Sequence, residues 1–256
     1  MMETKLVTSR QNPICAHLRK LASSGAYREE TGEYLADGEK LWEEAVRWHA
    51  PIQRLVTTDG SPLTAPEGVE HIQVPPELMA YLSPMKSPQG ALFTLERRTA
   101  ALPAPGKGRY LALDSLQDPG NVGTIWRAAD ALGADGLFLL GDCADPFHPK
   151  AVRASMGALF RTRVARFPSF EDYRAQYPQR DFFPFLLDGA RSLTLADCPA
   201  SPRYSLIFGN ESSGLPPAFS QVGQSIFIPQ SNAVDSLNLS IAVALGGFAF
   251  TQRNPR

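Results

Sequence analysis

From Arg109 to the end of the chain, short apolar runs alternate with helical patterns. The candidate strands are RYLALD, GLFLLG, FFPFLLDG, YSLIFGN and SIFIP. Helical spacing of apolar residues covers 121–133, 169–177 and 237–250. Strands that are apolar throughout and alternate with helices are typical of a parallel sheet covered on both faces. The pattern therefore predicts an α/β domain over 109–256.

Residues 1–98 also alternate helices and strands, over shorter segments. NPICAHLRKLASSG places Ile14, Leu18 and Leu21 on one helical face, and EYLADGEKLWEEAVRWHA fits a strand, a glycine break and a helix. Residues 99–108 are rich in Pro, Gly and Ala and interrupt any period, which is typical of a linker. We predict a smaller α/β domain over 1–98, followed by this linker.

The composition is that of an ordinary globular chain. Of the 256 residues, 43% are hydrophobic and 20% are charged. No apolar run reaches the length of about 18 residues that a membrane helix needs, and the N-terminus has no signal-peptide stretch, so we expect a cytoplasmic protein. Cys15, Cys143 and Cys198 lie far apart, and they form no zinc-binding spacing with the four histidines. We expect neither a metal site nor a disulfide framework.

Local charge is more informative than the net charge of −1. A nucleic-acid enzyme usually has a basic surface, because neutralising phosphates dominates its affinity. Residues 146–170 contain no acidic side chain but several basic ones: Lys150, Arg153, Arg161, Arg163 and Arg166. This run favours an anionic partner. Residues 1–98, with 11 Lys/Arg against 13 Asp/Glu, show no such bias.

Polar residues follow three of the predicted strands. After RYLALD, the chain turns and presents Asn121, Gly123 and Arg127 at the start of a helix. YSLIF ends in GNESSG (209–214), and SIFIP is followed by a polar loop and by Ser-Leu-Asn at 236–238. Because the carboxyl ends of parallel strands share one edge, we expect these loops to meet where ligands bind in such sheets.

Each loop also has a purely structural explanation. Gly, Asn and Ser are common turn residues, Ser236 fits a helix N-cap, and Asn238 fits a first-turn donor. Familiar site motifs are missing: no G-x-G-x-x-G follows a strand, no P-loop occurs, and GNESSG lacks the G-x-S-x-G nucleophile pattern. The functional interpretation depends on three such loops following strands of one sheet.

The three loops resemble the motifs of the SpoU/TrmH group of SPOUT RNA methyltransferases. That family has N-x-G-x-x-x-R, then G-x-E-x-x-G, then I-P and S-L-N before the last helix, and KAVRASMGALFR resembles a further block. The matching positions are Asn121, Gly123, Arg127, Gly209, Glu211, Gly214, Ile228, Pro229, Ser236, Leu237 and Asn238. In the first half, SRQNPICAHLRKL and YLADGEKLWEEAV resemble an L30e-like substrate-binding domain.

The resemblance implies a fold and an activity. It implies a C-terminal parallel-sheet domain with a deep trefoil knot, S-adenosylmethionine as cofactor, and RNA as partner. The knot comes from the resemblance alone, because threaded chains are nearly absent from folds. The implied reaction is methylation of a ribose 2′-hydroxyl, with ribosomal RNA favoured over transfer RNA. A SPOUT base methyltransferase and an inactive RNA-binding protein are the alternatives.

The resemblance also implies roles for individual residues. The expected catalytic residues are Arg127, Asn121, Glu211, Ser236 and Asn238. The expected cofactor-binding residues are Phe208, Gly209, Asn210, Gly214, Ile228, Pro229, Ser236 and Leu237. The expected RNA contacts are Lys150, Arg153 and Arg161. A guanidinium is a poor base, so Arg127 either grips a phosphate and stabilises an oxyanion, oriented by Glu211, or acts as the family's base.

The last helix predicts a homodimer. The segment SLNLSIAVALGGFAFTQR has apolar or small residues on nearly all sides, and one sheet covers only one side of a helix. These residues are Leu239, Ala242, Val243, Gly246, Gly247 and Phe250. A second subunit's helix would cover the rest, as in relatives that dimerise through this region.

Overall fold

The computed structural model describes residues 4–86, 88, 90–97, 108–186, 192–231 and 236–255. The chain divides into two compact units. The first unit combines Met1–Thr99 with Asp145–Phe160, and the second combines Ala100–Ala144 with Arg161–Arg256. The segment from Asp145 to Phe160 therefore belongs to the first unit, although it follows residues of the second. The predicted domain limits stay a prediction, and 99–107 of the predicted linker lie outside the described residues.

The secondary structure alternates strands and helices along the described chain. The strands are β1 (Lys5–Leu6), β2 (Glu33–Asp37), β3 (Ile52–Thr58), β4 (Glu70–Val74), β5 (Ala91–Glu96), β6 (Arg109–Asp114), β7 (Gly136–Leu140), β8 (Val164–Phe167), β9 (Asp181–Pro184), β10 (Leu193–Thr194), β11 (Tyr204–Phe208) and β12 (Ile226–Phe227). The helices are α1 (Pro13–Ser23), α2 (Gly25–Thr31), α3 (Glu39–Arg47), α4 (Pro76–Leu82), α5 (Pro119–Ala131), α6 (Pro149–Ala154), α7 (Phe170–Gln176) and α8 (Leu239–Arg253). Short 3₁₀ turns lie at Ala158–Phe160, Leu195–Asp197 and Pro217–Gln221.

The first unit is built on a mixed sheet in the order β1-β4-β3-β5-β2. β5 runs antiparallel to β2 and β3, whereas β4 is parallel to β1 and β3. One hydrophobic cluster includes Leu18 of α1 and Leu78 of α4. A second cluster includes Trp42 of α3, and Val152 of α6 joins it. A small α/β unit was predicted here; the contribution of α6 to its core was not.

The second unit contains a five-stranded sheet in the order β8-β7-β6-β11-β9, with every pair parallel. β6 and β11 are neighbours, with Leu113 opposite Phe208. An aromatic core that includes Tyr110, Phe138 and Tyr173 fills one face. The predicted parallel α/β fold is confirmed for these residues.

The third motif strand is not part of this sheet, so that expectation was wrong. β12 pairs with β10 in a separate two-stranded sheet. Its Ile226 forms a parallel bridge with Phe185, just beyond the end of β9. Just beyond β9, Phe185 N–H still donates to the Ile207 carbonyl of β11 at 2.8 Å, while Leu186 N–H donates to the Ile226 carbonyl at 3.0 Å. Among the described residues, β12 therefore pairs only with those beyond the end of β9, and it lies outside the five-stranded sheet.

Two predicted helices have different starts. Asp118 caps α5, so this helix begins at Pro119, two residues before the predicted position. Asn238 caps α8, so that helix begins at Leu239 and continues to Arg253. The short elements β1, β8, β10, α2 and α6 were not predicted, because their patterns are brief or only half-buried. Within the described residues, no helix is both long and apolar enough to cross a membrane.

Candidate active site

The first polar loop joins β6 to α5. The Asp118 carboxylate accepts hydrogen bonds from the backbone N–H groups of Gly120 and Asn121. This cap fixes the start of α5 and places Asn121 in the first turn and Arg127 farther along the helix. Arg127 is exposed, and among the described residues it has no hydrogen-bond or ion-pair partner. Its guanidinium is therefore available for an anionic partner.

The second loop follows β11 and is closed tightly on itself. Asn210 N–H donates to the Gly214 carbonyl at 3.2 Å, and Gly214 N–H donates back at 3.0 Å. A Cβ atom on Gly209 would lie 2.2 Å from the carbonyl carbon of Gly214, so only glycine fits there. The Asn210 side-chain amide donates to the Ser115 carbonyl at 2.8 Å. This bond ties the loop to the end of β6.

Glu211 links the second loop to the first. Its Oε1 accepts a hydrogen bond from Asn121 Nδ2 at 3.1 Å and one from Asp118 N–H at 3.3 Å. The two loops therefore meet, as predicted for neighbouring parallel strands. The expected contact of Glu211 with Arg127 is not among the bonds of the described residues; its carboxylate instead orients Asn121.

The third segment leads from β12 into α8. Asn238 Oδ1 accepts from the backbone N–H of Ser240 at 2.9 Å and from its hydroxyl at 2.6 Å. Asn238 is therefore the N-cap, whereas the structural explanation from the sequence gave that role to Ser236 and a first-turn donor to Asn238. Ser236 is exposed just before the cap, and residues 232–235 lie outside the described part.

A pocket of about 760 Å³ opens between the second loop, the third segment and the start of α8. Part of its wall is a stacked pair of rings, Phe185 and Phe208, with centroids 4.2 Å apart. Every residue predicted to bind the cofactor lines this pocket: Phe208, Gly209, Asn210, Gly214, Ile228, Pro229, Ser236 and Leu237. Their role in binding stays a prediction, although the structure brings them together.

Other lining residues were missed by the sequence interpretation. They are Phe185, Leu186, Ile226, Phe227, Gln230, Ser231, Leu239 and Ala242. Most are apolar and half-buried, and such residues carry no chemical signal of their own. Asn121, Glu211, Arg127 and Asn238 are not among the lining residues. Of the predicted catalytic residues, Ser236 therefore lines the pocket, whereas the other four do not.

The predicted RNA contacts have different surroundings. Arg161 is paired with Asp130, with Nη2 2.8 Å from Oδ2, and Thr162 donates to the same carboxylate at 2.8 Å. The charge of Arg161 is therefore balanced within the second unit. Lys150 and Arg153 lie on α6, in the segment that belongs to the first unit.

Two groups near the end of β6 have shifted pKa values: Asp114 is half-buried, and Cys143 is buried. Burial raises the pKa of the Asp114 carboxyl, repulsion by Glu171 adds to this, and a hydrogen bond from Ser115 partly opposes it. Burial also raises the pKa of the Cys143 thiol. Cys143 is therefore a thiol at neutral pH and is not prepared for nucleophilic chemistry. The described residues hold no cluster of three or more His, Cys, Asp or Glu side chains suited to a metal.

Comparison with known protein families assigns the chain to a family. A family model described as the SpoU rRNA Methylase family matches residues 108–248. The chain belongs to this family. A second model, the MRM3-like substrate binding domain, matches residues 12–92. The SpoU match contains all three loops described above.

Relatives of similar length support the assignment. The chain is 30% identical to an uncharacterized tRNA/rRNA methyltransferase of Synechocystis, over 93% of this chain and 90% of that one. It is 27% identical to the 23S rRNA (guanosine(2553)-2′-O)-methyltransferase RlmP of Bacillus subtilis, over 94% and 97%. The crystal structure of an AdoMet-bound rRNA methyltransferase from Sinorhizobium meliloti superposes with a TM-score of 0.86, at 32% identity, covering 97% of this chain and 98% of that one.

Proposed function

We propose that this SpoU-family protein transfers a methyl group from S-adenosylmethionine to a ribose 2′-hydroxyl of ribosomal RNA. The observation that carries the proposal is the arrangement of the three motif loops. The second and third line one pocket, and the first is hydrogen-bonded to the second through Asn121 and Glu211. RlmP, which matches 94% of this chain, is named as a 23S rRNA 2′-O-methyltransferase, whereas a structure concerned with tRNA methylation matches 56% of it. No observation favours a base methyltransferase or an inactive protein.

The pocket fits the cofactor by its size and its lining. A volume of about 760 Å³ is in the range of small-molecule sites. The apolar wall of Phe185 and Phe208 suits a planar base, and backbone groups of the Gly209 loop and of Ile228 supply polar contacts. A similar structure carries AdoMet. When bound, S-adenosylmethionine supplies an electrophilic methyl group on a sulfonium.

The protein's own residues position the RNA and its hydroxyl. A free ribose hydroxyl is a poor nucleophile, so alignment supplies much of the rate. Arg127 grips the phosphate beside the target ribose and stabilises the oxyanion that develops there. Asn121, held by Glu211, orients the nucleotide. Ser236 lies at the pocket and holds the hydroxyl.

Methyl transfer to RNA tests the proposal directly. Radioactive methyl groups from labelled S-adenosylmethionine should appear in ribosomal RNA isolated from cells that lack the gene, and not in RNA from cells that have it. Mapping of 2′-O-methyl positions then identifies the nucleotide. Calorimetry should show binding of S-adenosylmethionine and none of NAD or ATP. Absence of heat with the methyl donor would refute the cofactor assignment, and labelled transfer RNA in place of ribosomal RNA would refute the substrate.

A homodimer is part of the proposal. The residues that suggested the dimer in the sequence do not form its surface: Leu239 and Ala242 line the pocket, and the other four are buried within the chain, namely Val243, Gly246, Gly247 and Phe250. The exposed apolar residues of α8 are instead Ile241, Leu245 and Phe248, which are 52%, 41% and 55% exposed and follow one another at helical spacing. Three large apolar side chains on one exposed stripe favour a partner that covers them. A second copy of α8 meets this need and would bring two sites close to one interface.

Sedimentation tests the dimer. The wild-type protein should sediment at about twice its chain mass of 27.9 kDa. Phe248→Glu should be monomeric, because the carboxylate would be buried in the interface. Val46→Glu is the matched control: it introduces the same charge at an exposed apolar position of the first unit and should remain dimeric. A monomeric wild type that methylates RNA would contradict this part of the proposal.

Two further expectations stay predictions. The trefoil knot would hold the pocket-forming segments together, and slow refolding after complete unfolding is its expected sign. The other is the cytoplasmic location expected from the sequence.

A further inference from the structure

The start of the first unit carries a cationic cluster that the proposed chemistry does not use. The Arg10 guanidinium carbon lies 4.7 Å from the centre of the Tyr81 ring, and that of Arg19 lies 5.0 Å from it. Arg19 Nη1 also donates to the Tyr81 carbonyl at 3.1 Å. Tyr81 is 37% exposed, and both arginines are exposed. We name Arg10, Arg19 and Tyr81 the Tyr81 cluster.

Four other cations of this unit have acidic partners. The ion pairs are Lys5 with Glu70, Arg28 with Asp145, Arg47 with Glu44, and Arg54 with Glu33 and Glu70. Among the described residues, neither Arg10 nor Arg19 has an acidic partner. Residues 9–23 contain no Asp or Glu at all. The Tyr81 cluster therefore brings two arginines without acidic partners to one ring.

The geometry of the cluster suits phosphate. Stacking on the Tyr81 ring uses the flat face of each guanidinium and leaves its N–H edges free to bond in their own plane. Such edges match two phosphate oxygens at once. Two like charges beside one ring also repel each other, and a bound anion would relieve that repulsion.

We propose that the Tyr81 cluster binds the phosphate backbone of the RNA substrate. This inference rests on the proposed function, because it assigns RNA as the anion. It also explains how a half of the chain with more acidic than basic residues holds RNA: the charge is local. A polyanion with regularly spaced phosphates satisfies both arginines, whereas one carboxylate satisfies one of them.

Salt dependence of RNA binding tests the proposal in the full-length protein. The probe is a fluorescein-labelled RNA hairpin, followed by anisotropy over a range of KCl concentrations without methyl donor. The double variant Arg10→Gln/Arg19→Gln should bind more weakly, and the slope of log K against log salt should fall by about 1.5 to 2, since two phosphate contacts are lost. Arg10→Lys/Arg19→Lys should keep most of the slope.

The matched control is Arg47→Gln. Arg47 is also exposed and stacked on an aromatic ring, 5.8 Å from the centre of Trp48, but it has an acidic partner. Its removal should leave the slope unchanged. A double variant with wild-type affinity and slope overturns the proposal. Loss of affinity for polyglutamate with RNA binding unchanged also overturns it, because the cluster would then be a protein-docking surface.

The readouts separate this proposal from the proposed function. Binding of S-adenosylmethionine and the melting temperature should be the same in the double variant as in the wild type. If the wild type binds RNA through the cluster but transfers no methyl group, the proposed function fails and the cluster assignment stands. If methyl transfer occurs and the slope is unaffected, the cluster assignment alone fails.

Discussion

Two arginines of the second unit lie in opposite environments. Arg180, just before β9, is 9% exposed, lies 3.9 Å from the centre of the Tyr110 ring, and donates to the Ser205 hydroxyl at 2.9 Å. Arg127, on α5, is exposed, and the described residues offer it no hydrogen-bond or ion-pair partner. The fold holds the first arginine, whereas no described residue holds the second.

This contrast separates a structural charge from a proposed functional charge within one unit. A buried cation must be paired or hydrogen-bonded, because desolvation would otherwise be very costly. An exposed cation without a partner contributes little to stability, and we propose that Arg127 serves to bind RNA. Variants at the two arginines should therefore affect different measurements.

The largest effect is expected for Arg127→Ala. Methyl transfer should fall by about a hundredfold or more, since a positioned charge at a developing oxyanion is worth about 3 kcal/mol. The melting temperature and the affinity for S-adenosylmethionine should stay close to wild type, because Arg127 does not line the pocket. Single-turnover rates measure methyl transfer, and calorimetry measures the melting temperature and the affinity for S-adenosylmethionine.

Arg127→Lys tests whether charge alone is sufficient at this position. An ammonium group cannot reproduce the planar fork of arginine, so little activity should return. Near-normal activity would show that charge alone is sufficient and would exclude the bidentate phosphate grip. Weaker cofactor binding in Arg127→Ala would instead place the arginine in the donor site.

Arg180→Met should have the opposite signature. Its loss removes the cation–π contact with Tyr110 and leaves Ser205 and the Tyr204 carbonyl short of a donor. Unfolding in urea should show a loss of about 2 kcal/mol. Methyl transfer per folded molecule should be unchanged. A stable variant with impaired transfer would contradict the contrast between the two arginines.

Glu211→Gln tests the link between the two motif loops. Glutamine still reaches Asn121 but loses the charge that strengthens the bond, which costs about 1.5 kcal/mol, or roughly tenfold in rate. The effect should fall on kcat rather than on KM for S-adenosylmethionine, because Glu211 positions Asn121 outside the pocket. Ser213→Ala on the same loop is the control and should behave as wild type.

Asp114→Asn should have the smallest effect. The folded state raises the pKa of this carboxyl, so folding favours its protonated form. Stability from this group is therefore greatest below its ordinary pKa of 3.8 and falls as the pH rises through the raised value. The variant should be more stable than wild type at pH 7, and the difference should vanish below the ordinary pKa. Urea unfolding at pH 7 and below pH 3.8 measures the difference in stability between variant and wild type. An equal difference at both pH values would contradict the raised pKa of this carboxyl.

The sequence predicted the parts of the site that carry their own chemistry. Asn121, Glu211 and the Gly209 loop were expected to meet, and the neighbouring positions of β6 and β11 bring them together. The motif positions were sufficient for this prediction, because the carboxyl ends of neighbouring parallel strands meet at one edge of the sheet.

Other features depend on tertiary structure that periodicity does not report. The pairing of Ile226 with Phe185 outside the main sheet has no signature in the pattern SIFIP. Phe185 and Phe208 stack to form part of the pocket wall, but nothing in the sequence distinguishes them from other apolar residues. Val152 packs in the core of the first unit because the chain returns to that unit after forming part of the second. No local sequence pattern encodes this return.

The neighbouring positions of β6 and β11 also determine when the site forms during synthesis. Asn210 and Ser115, joined by a hydrogen bond, are 95 positions apart. Until β11 leaves the ribosome, one edge of the apolar strand β6 has no partner and is exposed to other chains. Contacts between distant residues form slowly, and open strand edges promote aggregation. The nascent protein is therefore most dependent on chaperones during the interval between synthesis of these two strands.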